Sequence, residues 1–302
     1  MNGLRRAGVG SAFGSCGELL QGVTAADNRD FLVTLPIRQG SVAVFEPLAA
    51  QGDIDTIPPH KVKSRALAEL MLERAGGPRG GRLTIISELA EGKGLASSTA
   101  DLVATARAIA DAQGRRIHAA EIEDLLRDIE PSDGVMYPGA VAFYHREVRL
   151  LARLAQLPRL TIVLADEGGQ LDTVEFNRHE KPFTAADKRE YTRLLTGLTD
   201  AVARRDHRGI GEIATRSALM NSVLRERPHL DSARSAARRM GALGVVIAHS
   251  GTTTGILLAD DDPDYRGKVA EAQRISSDFA TQVSIHRSWR PAPPDWQGVL
   301  AR

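Results

Sequence analysis

Gly92-Lys93-Gly94-Leu95-Ala96-Ser97-Ser98-Thr99-Ala100-Asp101 decides how this chain is read. The β-rich run Arg82 to Ser87 precedes it, and an alanine-rich stretch from about Ser97 to Gln113 follows with helical spacing. Strand, glycine turn and helix start therefore come in that order. The glycines allow positive φ and close approach of a ligand to the backbone. Ser97, Ser98 and Thr99 bring hydroxyls and N–H groups to the helix start, where the helix dipole attracts phosphate. Hydroxyl oxygens there suit Mg²⁺, a hard cation, and Lys93 adds a positive charge. The spacing is neither that of a P-loop nor that of a dinucleotide fingerprint.

Outward from this turn, 31–45 reads as two strands around Gly40, 61–74 as a helix, 119–129 as a second helix ending at Pro131, and 140–150 as strand. The continuous apolar run 160–165 predicts a buried strand. Residues 184–240 read as helices broken near Arg208-Gly209 and Pro228, and 244–248 and 255–259 as two strands around a small-residue turn. The tail from Arg287 reads as an extended arm. This order fits an α+β architecture better than an alternating doubly wound sheet.

Composition narrows the function classes. The chain has 302 residues, 42% hydrophobic and 25% charged, enough for a sizeable core. Lys plus Arg is 39 against 38 for Asp plus Glu, so the basic excess of a nucleic-acid binder is missing. The single cysteine, Cys16, forbids an intrachain disulfide and reads as a small buried residue rather than a nucleophile. No apolar run approaches the roughly 18 residues of a membrane span. The expectation is a cytoplasmic protein with neither nucleic-acid nor membrane partners, as monomer or homodimer.

Four further stretches carry chemistry. Ser15-Cys16-Gly17-Glu18-Leu19-Leu20-Gln21-Gly22 holds a carboxylate able to pair with an ammonium and an amide able to donate and accept. Glu130-Pro131-Ser132-Asp133-Gly134 places two carboxylates about a turn: one can hold Mg²⁺ while the other orients or deprotonates a hydroxyl, and the roles can be exchanged. Asp124 is a weaker metal candidate. Ala248-His249-Ser250-Gly251-Thr252-Thr253-Thr254-Gly255 makes a tight turn with hydroxyls, in which His249 reads as supporting structure. The loop from Asp166 to Asn177 follows a buried strand, a frequent place for ligand contacts.

Gly94-Leu95-Ala96-Ser97-Ser98-Thr99-Ala100 resembles the P-x-x-x-G-L-G-S-S-A-A signature of the GHMP kinases, although the leading proline is absent and Ala96 stands where the family has glycine. The other stretches are similar to family segments in the same order, from residue 10 to about 260. S-C-G-E-L-L-Q-G and E-P-S-D look like the subgroup that phosphorylates L-threonine in cobalamin synthesis. The resemblance implies an α+β, two-domain fold, with a ribosomal-S5-like N-terminal domain over 1–150, a ferredoxin-like C-terminal domain over 151–286 and a tail over 287–302. It implies ATP and Mg²⁺, with Gly92, Lys93, Gly94, Leu95, Ala96, Ser97, Ser98 and Thr99 around the triphosphate. Ser97 or Ser98 and Glu130 are expected on the metal, with Asp133, Glu130 and Lys93 in catalysis. Glu18, Gln21, Asp172, Thr173, Ser250, Gly251 and Thr252 are expected at the acceptor. Arg216 and Arg178 are open choices for its carboxylate. Another hydroxy amino acid or amino alcohol as acceptor, or a silent nucleotide binder, stays open.

Overall fold

The computed structural model describes residues 6–48, 52–76, 80–169, 181–249 and 251–290. Asp172, Thr173, Arg178, Ser250 and the tail beyond Arg290 lie outside them. Ten strands among the described residues form one sheet, in the order β10-β7-β9-β8-β1-β2-β4-β3, with the β5–β6 hairpin attached through β2. The strands are β1 Gly8–Val23, β2 Asp30–Pro47, β3 Ile54–Ile57, β4 Gly81–Ser87, β5 Val141–Tyr144, β6 Arg149–Arg153, β7 Leu160–Asp166, β8 Gly244–Ile247, β9 Thr253–Ala259 and β10 Gln282–Arg287. The helices are α1 Val62–Arg74, α2 Ser97–Ala112, α3 Ala119–Leu126, α4 Ala185–Arg204, α5 His207–Asn221, α6 Leu230–Arg239 and α7 Tyr265–Ser277.

α2 is the hub of the first half. Nearly all of it is buried, which its alanines allow. It lies directly on β1: a methyl group added at Gly8 or Gly10 would come within 2.2 Å of the Ala108 or Ala104 carbonyl oxygen. Larger side chains on either element would hold the backbones apart.

The expected hairpin at Gly40 is instead one continuous strand, β2. Gly40 is needed for close approach, since a Cβ there would lie 2.1 Å from the Ala12 carbonyl oxygen. The chain reverses earlier, where Thr24 N–H donates to the Arg29 carbonyl (2.9 Å) and Asn28 takes φ +56°. The stretch 140–150 is the β5–β6 hairpin, so the expected boundary at 150 falls inside β6. The break expected near Arg208 comes at Arg205 (φ +55°), because Asp206 caps α5 by accepting from Gly209 N–H at 3.0 Å.

The sheet continues across both halves, because β1 meets β8 at Glu18↔Ile247. A second apolar cluster, with Val163, Val245, Ile256 and Leu258 among its members, packs under α6 and α7. Sequence reading missed β1, β3, α7 and β10. Nor do residues 287–290 form a free arm: Arg287 ends β10, Trp289 stacks on Phe13 at 4.4 Å, and its N–H donates to the Pro36 carbonyl at 2.7 Å. No helix among the described residues is long and apolar enough to cross a membrane.

Candidate active site

One cleft gathers residues from distant parts of the chain. Glu18, Lys63, Gly92, Gly94 to Thr99, Glu130 to Asp133, His145 and His249 line it. Its floor is the start of α2. Gly92, Gly94 and Ala96 all take positive φ (71°, 76° and 56°), which curls the backbone around that helix end. Ala96 is the N-cap residue, and no side chain caps the helix. The positive end of the α2 dipole is therefore turned to the cleft, an arrangement suited to an anion. A left-handed alanine costs about 1–2 kcal/mol, which the family's glycine avoids.

The glycine turn is braced from three sides. Ser15 N–H donates to the Leu95 carbonyl at 3.2 Å. Thr253 Oγ1 donates to the Lys93 carbonyl at 3.1 Å. Gly251 lies so close that a Cβ there would be 2.5 Å from the Lys93 carbonyl group. Lys93 itself does not line the cleft. Its Nζ pairs with Asp166 at 2.7 Å and donates to the Gly169 carbonyl at 3.0 Å. Lys93, expected as a charge facing the phosphates, is paired here with Asp166 and ties the turn to the end of β7. Asp166 also accepts from Thr252 Oγ1 at 2.6 Å, so that hydroxyl faces Asp166 rather than an acceptor.

The acidic wall follows α3. Ser98 Oγ donates to Glu130 Oε1 at 2.5 Å, and the Lys63 ammonium donates to Glu130 Oε2. Asp133 N–H donates to Thr99 Oγ1 at 3.2 Å, which fixes this carboxylate beside the helix start. Burial, with the Glu130 charge adding, raises the Asp133 carboxyl to about 6. Asp124 stands apart, exposed and paired with Arg127.

The opposite wall comes from β1 and the turn after β8. Gly17 at φ +65° sits in the irregular part of β1, so Glu18 points inward and is only 5% exposed. Its Oε2 accepts from His249 N–H at 2.9 Å. Burial, then repulsion from Asp133, pushes its carboxyl well above the usual carboxylate range; the His249 N–H, Arg227 and Lys181 pull the other way. The Gln21 Oε1 lies 2.9 Å from His249 Nδ1, so Gln21 stands behind the wall and orients the imidazole. Burial, then the nearby Lys181, His145, Arg146 and Arg227, hold His249 well below its ordinary pKa. The His145 ring meets it edge-on at 4.5 Å.

Structure thus brings together Glu18, Gly92, Gly94, Leu95, Ala96, Ser97, Ser98, Thr99, Glu130 and Asp133. Gln21, Lys93, Gly251 and Thr252 support the walls from behind. Arg216 is exposed and 3.7 Å from Glu190, away from the cleft. His145 and Lys63 were missed by sequence reading. Cys16 is fully buried, as expected, and burial pushes its thiol up.

Comparison with known proteins fits this geometry. The model for the GHMP kinases N terminal domain matches residues 61–143, and that for the GHMP kinases C terminal domain matches 198–274. The chain belongs to the GHMP kinases, and it is a small-molecule kinase with an alcohol acceptor. GHMP kinases use ATP, typically with Mg²⁺. The chain is similar to an L-threonine kinase of Citrobacter freundii, 27% identical over 83% of this chain and 87% of that one. In fold it resembles a homoserine kinase of Cytophaga hutchinsonii (TM-score 0.71, 16% identical, 96% of each chain covered). It also resembles a mevalonate kinase of Methanococcus jannaschii (TM-score 0.73, 12% identical, 94% of this chain and 98% of that one).

Proposed function

We propose that the chain moves the terminal phosphoryl group of ATP to the side-chain hydroxyl of L-threonine. The product is O-phospho-L-threonine, destined for the aminopropanol arm of cobalamin synthesis. The similarity to L-threonine kinases supports this acceptor, and one observation carries the reading of the site. Two acidic groups, buried Glu18 and half-buried Asp133, face the same cleft from opposite walls, beside an uncapped helix start.

In this reading each residue has a role set by where it sits. The amides of 94–98 and the α2 dipole take the triphosphate charge as it redistributes. Ser98, or Ser97 beside it, and Glu130 hold Mg²⁺. The fit is sound: one hydroxyl and one carboxylate oxygen lie together, and Mg²⁺ usually completes its shell with phosphates and water. Accordingly no group of three or more metal-ligating His, Cys, Asp or Glu side chains is needed, and none occurs among the described residues. When bound, the metal supplies charge neutralisation to the phosphates. Asp133 aligns the threonine hydroxyl and accepts its proton. Its lifted pKa brings it nearer the working pH, as general-base duty favours. Glu18 receives the threonine ammonium. A buried carboxylate is costly while unpaired, so a cationic partner relieves the cost that lifts its pKa. Gln21 and Gly251 keep the walls in place, while Thr252 fixes Asp166.

The decisive experiment is an ADP-release assay of the purified protein with MgATP over L-threonine, L-serine, L-homoserine, ethanolamine and 3-hydroxybutyrate. Turnover is expected to be best with L-threonine and lost with 3-hydroxybutyrate, which lacks the amine. Better turnover with homoserine or ethanolamine would overturn the acceptor assignment. Nucleotide binding with no turnover on any alcohol would make the chain a silent relative. A second measurement isolates Glu18. Glu18→Gln is expected to raise KM for threonine by about 10²-fold while KM for ATP stays put, the size expected for losing a buried charge-assisted contact. Equal rises in both constants would remove Glu18 from acceptor binding.

A further inference from the structure

Lys63 carries an unexplained placement. It is the second residue of α1, a helix whose first turn holds no acidic side chain. A lysine there opposes the helix dipole, so the position is unfavourable on local grounds. Nearby Lys61 has a structural reason: it bridges Asp101 and Glu91, both at 2.5 Å, across the two ends of the glycine turn. Lys63 has a different partner. Its ammonium sits on Glu130 Oε2, inside the cleft that also holds Ser97 and Ser98.

Both oxygens of Glu130 are thereby engaged, one by Ser98 and the other by Lys63. A divalent metal on this carboxylate would stand against the lysine ammonium, and two cations repel strongly at such range. Lys63 is the partner able to leave. Its side chain is 47% exposed and hangs on a flexible four-carbon stem, whereas that of Glu130 is 10% exposed. Under the proposed reading, the anion for the displaced ammonium would be the nucleotide phosphate at the start of α2, which lines the same cleft.

We infer that Lys63 is a nucleotide-binding residue that rests on Glu130 and passes to the triphosphate when metal takes that carboxylate. The inference rests on the reading above in which Glu130 holds Mg²⁺. It gives Lys63 two effects of opposite sign, since it strengthens nucleotide binding and competes with metal for Glu130.

Calorimetric binding separates these effects from a structural role without relying on turnover. The probe is a non-hydrolysable ATP analogue with Mg²⁺, applied to the full chain and to Lys63→Met and Lys63→Arg. Lys63→Met is expected to bind the analogue about tenfold more weakly, as for loss of one charge-assisted contact. At saturating analogue it should reach half-occupancy at a Mg²⁺ concentration severalfold lower than the unaltered chain. Lys63→Arg should restore the nucleotide affinity. Unchanged analogue affinity in Lys63→Met, or a raised Mg²⁺ requirement, would overturn the inference while leaving the kinase reading intact. If the unaltered chain bound no analogue, the kinase reading would fall, and the inference with it. Thermal melting of Lys63→Met should stay within a few degrees of the unaltered chain, and a large drop would count as a structural role and against the inference.

Discussion

Asp133→Asn is expected to lower kcat by about 10²–10⁴-fold, the range for losing a positioned general base, and at the same time to make the protein more stable at neutral pH. The two effects share one cause. Burial, aided by the Glu130 charge, lifts the Asp133 carboxyl from 3.8 to about 6. Between those values the folded chain holds a proton that the unfolded chain releases. Stability from this group is therefore fullest below pH 3.8 and is lost as pH rises through 6. At pH 7 the ionised carboxylate costs the fold about 1–3 kcal/mol, after allowance for partial solvent contact. An amide removes the charge but keeps the shape. Melting curves at pH 5 and pH 7.5 check this: Asn should gain more over Asp at the higher pH. In the unaltered enzyme, kcat/KM should fall on the acid side of about pH 6, and that limb should vanish in Asp133→Asn. Full turnover in the variant would remove Asp133 from the mechanism.

Gly94→Ala is expected to have the second largest effect, through geometry alone. Gly94 has φ +76°, and a methyl group there would lie 2.4 Å from Ala248 Cβ and 3.3 Å from Gly251 Cα. The left-handed backbone adds about 1–2 kcal/mol for any L side chain. Relief by sliding the turn is resisted by the Ser15–Leu95 and Thr253–Lys93 hydrogen bonds, which hold it from two sides. A displacement near 1 Å at a reacting centre is worth about 10²-fold in rate, so kcat/KM for ATP should fall by that order. Gly114→Ala is the control. Gly114 has φ +70° but open space around it, at the far end of α2. It should lose stability by a similar backbone strain yet keep its ATP kinetics. Equal kinetic losses in both variants would show that strain, not collision at the turn, is responsible.

Much of this site is legible in the linear sequence, for physical reasons. The glycine turn and α2 announce themselves because positive φ requires glycine and close helix packing requires alanine. Glu130-Pro131-Ser132-Asp133 is legible because proline stops the preceding helix and strands two carboxylates in a turn. The family resemblance joined these stretches to Glu18, which lies more than seventy residues from the turn. What escaped reading depends on partners distant in sequence. Gly40 resembles a turn residue until the Ala12 carbonyl is seen against it. Nothing around Lys93 in the chain signals its pairing with Asp166, at the end of β7. Lys63 resembles a solvated helix lysine, and His145 a hairpin residue, because neither neighbours the other cleft residues along the chain. The strand β10 alternates weakly, and an edge strand places few demands on its side chains.

The bare contact of Gly8 and Gly10 with the backbone of α2 has a consequence for changing what this enzyme accepts. With no side chains between them, helix and strand behave as one stiff beam, and the cleft-facing end of that beam cannot be retuned by small steps. The facing wall is assembled differently, from an irregular stretch of β1 and a short turn after β8, where single substitutions shift individual polar groups. If Glu18 receives the acceptor as proposed, redesign toward new alcohols should concentrate on Glu18 and His249, leaving the helix-start half of the cleft untouched.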